Sequence, residues 1–202
     1  MEIPYFIRHK DFTTIESTDC VYLDDINSDV IKRVSVLNFA AGLEPYLKKK
    51  TGSFYDTTTQ TVISDEIAAI KLNTTDTDST NGISVVNNGG GNPTRITVPK
   101  IGIYDIQFSA QLERLTGGVS RQIIIWLRKN GTDVPNSATH ITMQANDNYI
   151  VASWNFFIKL NANDYCELMW TQNDAIELKY EPANITIPYP ATPSVILTIN
   201  EI

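Results

Sequence analysis

The length, composition and charge of the chain limit what it can be. It has 202 residues, of which 42% are hydrophobic and 19% charged, which fits one folded domain with an appendage and excludes a disordered chain. Its 16 Lys and Arg against 23 Asp and Glu give a net charge of -7, so we expect no binding to nucleic acid. The start, MEIPYFIRHKDF, has no uninterrupted apolar region, and no later stretch reaches the roughly 18 to 20 apolar residues that span a bilayer. We therefore expect neither an export signal nor membrane insertion.

The first 50 residues differ in pattern from the rest. Residues 21–23 and 31–34 predict two short strands, and Ser35 is a suitable N-cap for a helix that follows them. Apolar residues then recur every three or four positions, which places them on one helix face. Because a helix this short needs a partner to bury that face, its apolar residues are candidates for docking onto another chain: Val36, Phe39, Leu43 and Leu47. Three lysines and a glycine at residues 48–52 mark a boundary, so we predict an N-terminal segment of residues 1–50 and a domain of residues 51–202.

Downstream of this boundary the apolar pattern has a period of two. Apolar and polar residues alternate along residues 104–113 and again along residues 150–158, as in strands with one buried face. Other β-rich runs lie at residues 52–58, 68–73, 82–86, 95–98, 122–127, 165–171, 175–180 and 194–200. Asn-, Gly- and Pro-containing turns separate them. About nine or ten strands without an intervening helix leave little room for parallel crossovers, which predicts an all-β fold, an antiparallel jelly-roll sandwich.

The chain offers few residues for catalysis or metal binding. His9 and His140 each lack a second His, Cys or carboxylate at ligand spacing, so we expect no metal site. No serine-nucleophile elbow is present. The three glycines at residues 89–91 precede Asn-Pro and a strand, not Lys-Ser and a helix, so we interpret them as a flexible loop. We therefore expect no catalytic residues, no cofactor and no enzyme activity.

The two cysteines, Cys20 and Cys166, form too sparse a set for a disulfide scaffold. Cys166 is in phase with Leu168 and Trp170, as a small buried side chain would be. We expect both thiols to remain unbridged, because Cys20 belongs to the N-terminal segment and Cys166 to the core of the domain.

Several segments of residues 52–202 resemble known proteins. GSFYDTTTQ, RITVPKIGIYDIQFSAQLER, IWLRKNGTDVPNS, WNFFIKLNANDYCELMW and PSVILTI, in this order, resemble a domain of virion structural proteins of tailed phages, especially those of cyanobacteria and marine bacteria. More distantly, GIYDIQF and LNANDYCEL resemble the G-x-Y-x-F strand and the L-x-x-G-D-x-V-x-L hairpin of the tumour necrosis factor and complement globular-head superfamily, a trimeric jelly roll. Asn163 stands where that hairpin has glycine, and Asn tolerates the same positive φ.

The resemblance implies a homotrimeric virion protein, made in the host cytoplasm and built into a fibre, a neck or a capsid appendage. Residues 1–50 would then attach it to other virion proteins of the capsid, neck or tail, and the jelly roll would serve adhesion, with host surface glycans as a further partner. Two other functions are compatible with the residues. One is a cellular carbohydrate- or protein-binding module of the same fold; the other is a polysaccharide depolymerase, which would need a pair of carboxylates in a groove.

The superfamily geometry also implies which residues face the three-fold axis of a trimer. On this basis the candidates are the polar face of one strand and the strand after the NANDY turn: Asp105, Gln107, Ser109, Tyr165, Glu167 and Met169. Such an interface is unusually polar. We therefore expect a buried Asp105 or Glu167 to be hydrogen-bonded or to share a proton or a cation.

Overall fold

The computed structural model describes residues 19–25 and 30–202, which form two compact units that divide between Lys48 and Lys49. In the N-terminal unit, β1 (Cys20–Asp25) pairs with β2 (Val30–Ser35), and α1 (Val36–Leu47) follows directly. The backbone N–H of Asn38 donates to the Ser35 hydroxyl at 3.2 Å. Ser35 therefore caps the helix, as the sequence predicts.

The second unit is composed of strands. Their bounds are β3 (Thr51–Asp56), β4 (Ala68–Ala69), β5 (Thr74–Thr75), β6 (Ser84–Asn87), β7 (Pro93–Thr97), β8 (Gly102–Arg114), β9 (Arg121–Lys129), β10 (Thr132–Asp133), β11 (Thr139–Met143), β12 (Tyr149–Leu160), β13 (Tyr165–Gln172), β14 (Ile176–Leu178) and β15 (Val195–Glu201).

These strands form two sheets. Sheet I has six strands in the order β12-β8-β15-β3-β5, with β14 beside β8; sheet II has seven in the order β10-β9-β13-β7-β6, with β11 beside β9 and β4 beside β13. The pairings in both sheets are antiparallel. Successive long strands alternate between the sheets, from β7 in sheet II to β8 in sheet I and back to β9. This connectivity is that of a jelly-roll sandwich, so the predicted fold class is confirmed.

The core lies between the two sheets. On β8 the inward residues are at most 3% exposed: Tyr104, Ile106, Phe108, Ala110 and Leu112. From sheet II, Ile123, Ile125 and Leu127 of β9 and Leu168 and Trp170 of β13 belong to the same buried cluster. The period of two therefore assigns the core face of each long strand correctly.

Several short regions depart from the strands that the sequence predicts, among them the two-residue strands β5 and β10, which lie outside the predicted runs. Residues 68–73 form only the short β4, although Ile70 and Leu72 are still buried. Strand β11 was not predicted, because it lies at the edge of sheet II and only Ile141 and Met143 give it an apolar pattern. Edge strands of this length carry little periodic signal.

A buried glutamine explains why residues 70–73 do not continue as a strand. The Gln60 side chain is 3% exposed; its Nε2 donates to the Lys71 carbonyl at 3.0 Å, and its Oε1 accepts from the Lys71 N–H at 2.8 Å. Nε2 also lies 3.3 Å from the Ser194 hydroxyl. The Gln60 amide therefore replaces the backbone of a neighbouring strand at Lys71.

We predict that Gln60→Leu lowers the free energy of unfolding by about 1 to 3 kcal/mol, because it leaves the Lys71 N–H and carbonyl without their partner. Urea denaturation followed by circular dichroism measures the change. Gln144→Met is the matched control, since Gln144 is exposed and should change stability by no more than about 0.5 kcal/mol. Equal stabilities of the two variants would contradict this role of Gln60.

Candidate functional site

Three of the predicted interface residues lie together on the outer face of sheet I. Asp105, Gln107 and Ser109 alternate with the core residues of β8. The Asp105 carboxylate accepts hydrogen bonds from Gln107 Nε2 at 2.8 Å and from Asn155 Nδ2 on β12 at 3.2 Å. Asp105 is thus hydrogen-bonded within the chain, so its charge is already compensated in part before any other molecule approaches.

Exposed apolar side chains surround this polar centre. On the same face, Phe157 is 65% exposed, Val151 57%, Ile103 53% and Ile196 42%. Phe157 lies directly opposite Asp105 in the ladder between β12 and β8, and Ile196 lies opposite Ser109 in the ladder between β15 and β8. We call these residues, with Asp105, Gln107 and Ser109, the sheet I surface. A face that is mixed in polarity and exposes several large apolar groups is typical of a protein-binding surface.

The other three interface candidates belong to sheet II. Tyr165, Glu167 and Met169 alternate along β13 with residues of the buried cluster, so they point to the outer side of sheet II. Tyr165 is half-buried, whereas Glu167 and Met169 are only 6% and 4% exposed. Within one chain the structure therefore does not bring the two predicted sets into one surface: they lie on the outer sides of different sheets.

A change of strand partner shapes the surroundings of Glu167. On one side β13 pairs with β9 throughout. On the other side it pairs with β7 at Tyr165 and Cys166 and with β4 at Met169 and Trp170. The sheet forks between these two pairings, which leaves a cavity of about 340 Å³ on its outer side. Glu167 lies at the fork.

Further polar and glycine residues line this cavity, which we call the fork pocket: Asn88, Gly89, Gly90, Arg95, Arg128 and Gly131. The sequence pattern does not indicate them as a site, because only the strand register brings Arg95 and Arg128 to either side of Glu167. The glycines were a usable signal. The loop that carries them is held by Asn88, whose Oδ1 accepts from Gly90 N at 2.9 Å and Asn92 N at 3.1 Å, so a defined turn replaces the expected flexible loop.

The turn before β13 fixes the beginning of this strand. Asn163 has a φ of 66°, in the left-handed conformation that the sequence resemblance implied. The Asp164 carboxylate accepts from Asn161 N at 2.8 Å and Asn130 Nδ2 at 2.8 Å, and Lys129 Nζ lies 2.9 Å from it. These three interactions, the backbone bond foremost, lower the pKa of Asp164 to about 2. Asn130 also accepts from Tyr165 N at 3.0 Å, which joins this turn to β9.

Two carboxylates lie opposite each other where β14 pairs with β8 in sheet I. Glu113 on β8 faces Glu177 on β14, and Lys179 Nζ lies 2.7 Å from Glu113 and 3.2 Å from Glu177. Partial burial acts to raise the pKa of Glu113, but hydrogen bonds from Lys179 and Tyr149 outweigh it and lower the pKa. A glycosidase needs a carboxylic acid with a raised pKa, and Glu113 has the opposite.

The structure also locates the remaining candidates. No disulfide joins Cys20 and Cys166, and burial raises the pKa of Cys166 to about 12, which keeps its thiol protonated.

His140 lies on β11, whereas His9 lies outside the described residues. In residues 19–25 and 30–202, no group of three metal-ligating side chains occurs. No helix within those residues is long and apolar enough to cross a membrane.

The docking candidates lie on α1. Val36 and Phe39 are half-buried, and Leu43 and Leu47 are 37% and 73% exposed. Leu37, which the predicted stripe did not include, is 61% exposed. The described part of the N-terminal unit thus leaves apolar side chains of α1 accessible to another molecule.

Comparisons with known proteins assign neither a family nor a function to the chain. No known protein family matches the chain, and no curated protein matches its sequence. Similar solved structures include murine APRIL at pH 8.5 and at pH 5.0, with 11% and 9% sequence identity. Both alignments cover 77% of this chain and 100% of the other, with TM-scores of 0.47. The assignment of the fold rests on the strand order described above.

The Asp164 contacts predict how stability depends on pH. Because the folded-state pKa is lowered from 3.8 to about 2, the unfolded chain takes up a proton in this range before the folded protein does. The stabilisation from Asp164 is therefore present above about pH 4 and is lost as the pH falls towards 2. Asp164→Asn should lower the denaturation midpoint at pH 7, and the difference from wild type should shrink on acidification.

Denaturant titrations between pH 7 and pH 2.5 measure this difference. Asp174→Asn is the control, because Asp174 is an exposed partner of Arg121 at 2.8 Å and such pairs contribute little. A difference between Asp164→Asn and wild type that stays constant with pH would show that the carboxylate charge is not the cause.

Proposed function

We propose that this chain is a structural and adhesive component of a tailed-phage virion, that it acts as a homotrimer and that it has no catalytic role. The observation that carries the binding role is the sheet I surface, a broad outer face with exposed Phe157, Val151 and Ile103 around a polar centre. The assignment to a virion rests on the order of the motifs between residues 52 and 202, which resembles phage structural proteins.

The sheet I surface suits self-association better than the full set of six interface residues predicted from the sequence, which lie on two different sheets. Its polar residues are already bonded to each other, as Gln107 and Asn155 are to Asp105, so contact with another chain would bury few unpaired groups. Its apolar rim supplies the area that favours association. In this proposal Asp105, Gln107 and Ser109 face the three-fold axis, whereas Tyr165, Glu167 and Met169 remain outside the interface.

A charge placed on this surface should separate the trimer. Phe157→Glu puts a carboxylate opposite Asp105, and we expect it to convert a species of three times the 22.6 kDa chain mass into monomer. Light scattering coupled to size exclusion gives the mass. Val86→Glu is the matched control: Val86 is a 48% exposed residue of β6 in sheet II, and its substitution should leave the trimer intact. A monomeric wild-type chain would contradict the proposal.

The N-terminal unit is proposed to attach the protein to the particle. Exposed Leu37, Leu43 and Leu47 on α1 need a partner, which a capsid, neck or tail protein would provide. Deletion should start from the unit boundary and spare Lys50, because Lys50 N donates to Glu201 Oε2 at 2.9 Å and its carbonyl accepts from Glu201 N at 2.8 Å.

We expect the chain without residues 1–48 to fold and to be missing from purified virions. Phe39→Ser combined with Leu43→Ser should reduce incorporation, since each lost side-chain burial is worth about 1.5 to 3 kcal/mol. Quantitative mass spectrometry of purified particles measures the copy number. Leu115→Ser, at a 54% exposed position of the other unit, is the control and should incorporate normally. Full incorporation of the truncated chain would place attachment in the jelly roll, and absence of the wild-type chain from particles would favour a cellular binding module.

A further inference from the structure

The fork pocket contains a row of three charged residues. Glu167 on β13 lies opposite Arg128 on β9, and Arg95 follows on β7, one residue before the Ile96 that pairs with Cys166. The row therefore crosses three strands on the outer side of sheet II, with a carboxylate between two guanidinium groups.

The central carboxylate is buried but not fully engaged by its cationic neighbours. Glu167 Oε1 accepts from the Thr94 hydroxyl at 2.5 Å, whereas Arg95 Nε lies 4.0 Å from the same oxygen, too far for a hydrogen bond. Arg95 Nε is buried and has no hydrogen-bond partner. A buried donor without a partner is costly. The Arg95 side chain as a whole is 36% exposed and lines the pocket, so a molecule there can accept hydrogen bonds from its guanidinium.

The two arginines are held by different means. The guanidinium of Arg95 lies over the Tyr165 ring, 4.5 Å from its centroid, a cation–π contact that orients it beside the pocket. Arg128 Nε donates to Asp133 Oδ1 at 2.7 Å, and Trp126 Nε1 donates to the same oxygen at 2.8 Å. The hydrogen bonds from Arg128 and Trp126 lower the pKa of Asp133, so Arg128 is neutralised outside the row.

Charge balance selects the ligand class. Arg128 is paired with Asp133, and the charges of Arg95 and Glu167 cancel, so the pocket favours neither an anion nor a cation. It offers donors on Arg95 and Arg128 and an acceptor on Glu167 around one small space. A molecule with several adjacent hydroxyl groups can donate to the carboxylate and accept from a guanidinium at the same time.

The walls also suit a small ring. Two sides are formed by Gly89 and Gly90 and by Gly131, which have no side chains to fill the space. Gly131 has a φ of 82° after Asn130 at 47°, a turn that calls for glycine, and a Cβ there would lie 3.6 Å from the Tyr165 hydroxyl. The volume of about 340 Å³ is at the small end of ligand sites.

We infer that the fork pocket binds one neutral sugar unit of a polysaccharide, with its hydroxyl groups donating to Glu167 and accepting from Arg95. This inference builds on the proposed adhesive function and assigns it a site that is separate from the sheet I surface.

Saturation-transfer NMR on the full chain tests the inference with methyl glycosides of glucose, galactose, mannose, rhamnose and N-acetylglucosamine, and with glucuronic acid as a charged probe. At least one neutral glycoside should bind. Glu167→Gln and Arg95→Gln should each weaken it about tenfold or more, since each removes a hydrogen bond to a charged group. Glutamine at position 167 can still accept from Thr94, and circular dichroism verifies the fold of both variants.

Arg121→Gln is the matched control: Arg121 is on β9, is paired with Asp174 and does not line the pocket, so the affinity should not change. Binding of none of the neutral glycosides, or of glucuronic acid alone, would overturn the inference. Equal binding by all variants would also overturn it and would place the sugar elsewhere. Trimer mass and virion incorporation do not depend on these measurements, so failure of the pocket and failure of the proposed function are distinguishable.

Discussion

The register of the long strand β8 is the constraint on which the rest of sheet I depends. Its thirteen residues pair with β12 along one edge, and with β15 and then β14 along the other. A shift of one residue would turn all of its buried side chains towards solvent, so the burial of Tyr104, Ile106 and Phe108 fixes the register of three neighbouring strands. The same register puts Asp105, Gln107 and Ser109 on one outer face. The polar surface is thus determined by the packing of the core.

The sequence predicted the features that depend on local pattern. The period of two located β8 and β12, and Ser35 located the start of α1. The failures occurred where tertiary contacts replaced pattern. Residues 70–73 have the composition of a strand, but the Gln60 side chain takes the place of a strand partner at Lys71. The pattern of apolar and polar residues does not predict a hydrogen bond between a side chain and the backbone of another segment. The fork pocket depends on the register of three strands, so Arg95 and Arg128 gave no sign of it in the sequence.

The fork in sheet II illustrates how an antiparallel sandwich can form a polar cavity without an extra domain. A regular ladder would pair the backbone of β13 on both sides and leave its outer side flat. Here β7 diverges on the N-terminal side of Ile96, and Ala69 of β4 takes its place at Met169. The carboxylate of Glu167 lies where these two strands diverge, and Thr94, at the start of β7, supplies the hydrogen bond that makes its burial tolerable.

The two outer sides of the sandwich therefore differ in what they can bind. The sheet I surface is broad and carries exposed Phe157 and Val151, which suits another protein chain, whereas the fork pocket is small, polar and balanced in charge. A trimer formed through sheet I would leave sheet II accessible and would carry one pocket on each chain. A single polar sugar unit binds weakly on its own, because most of its hydrogen bonds only replace those to water. Three linked sites raise the effective affinity for a repeating polysaccharide when their spacing lets them engage together. Self-association through one sheet would thus make weak recognition through the other sufficient for adhesion.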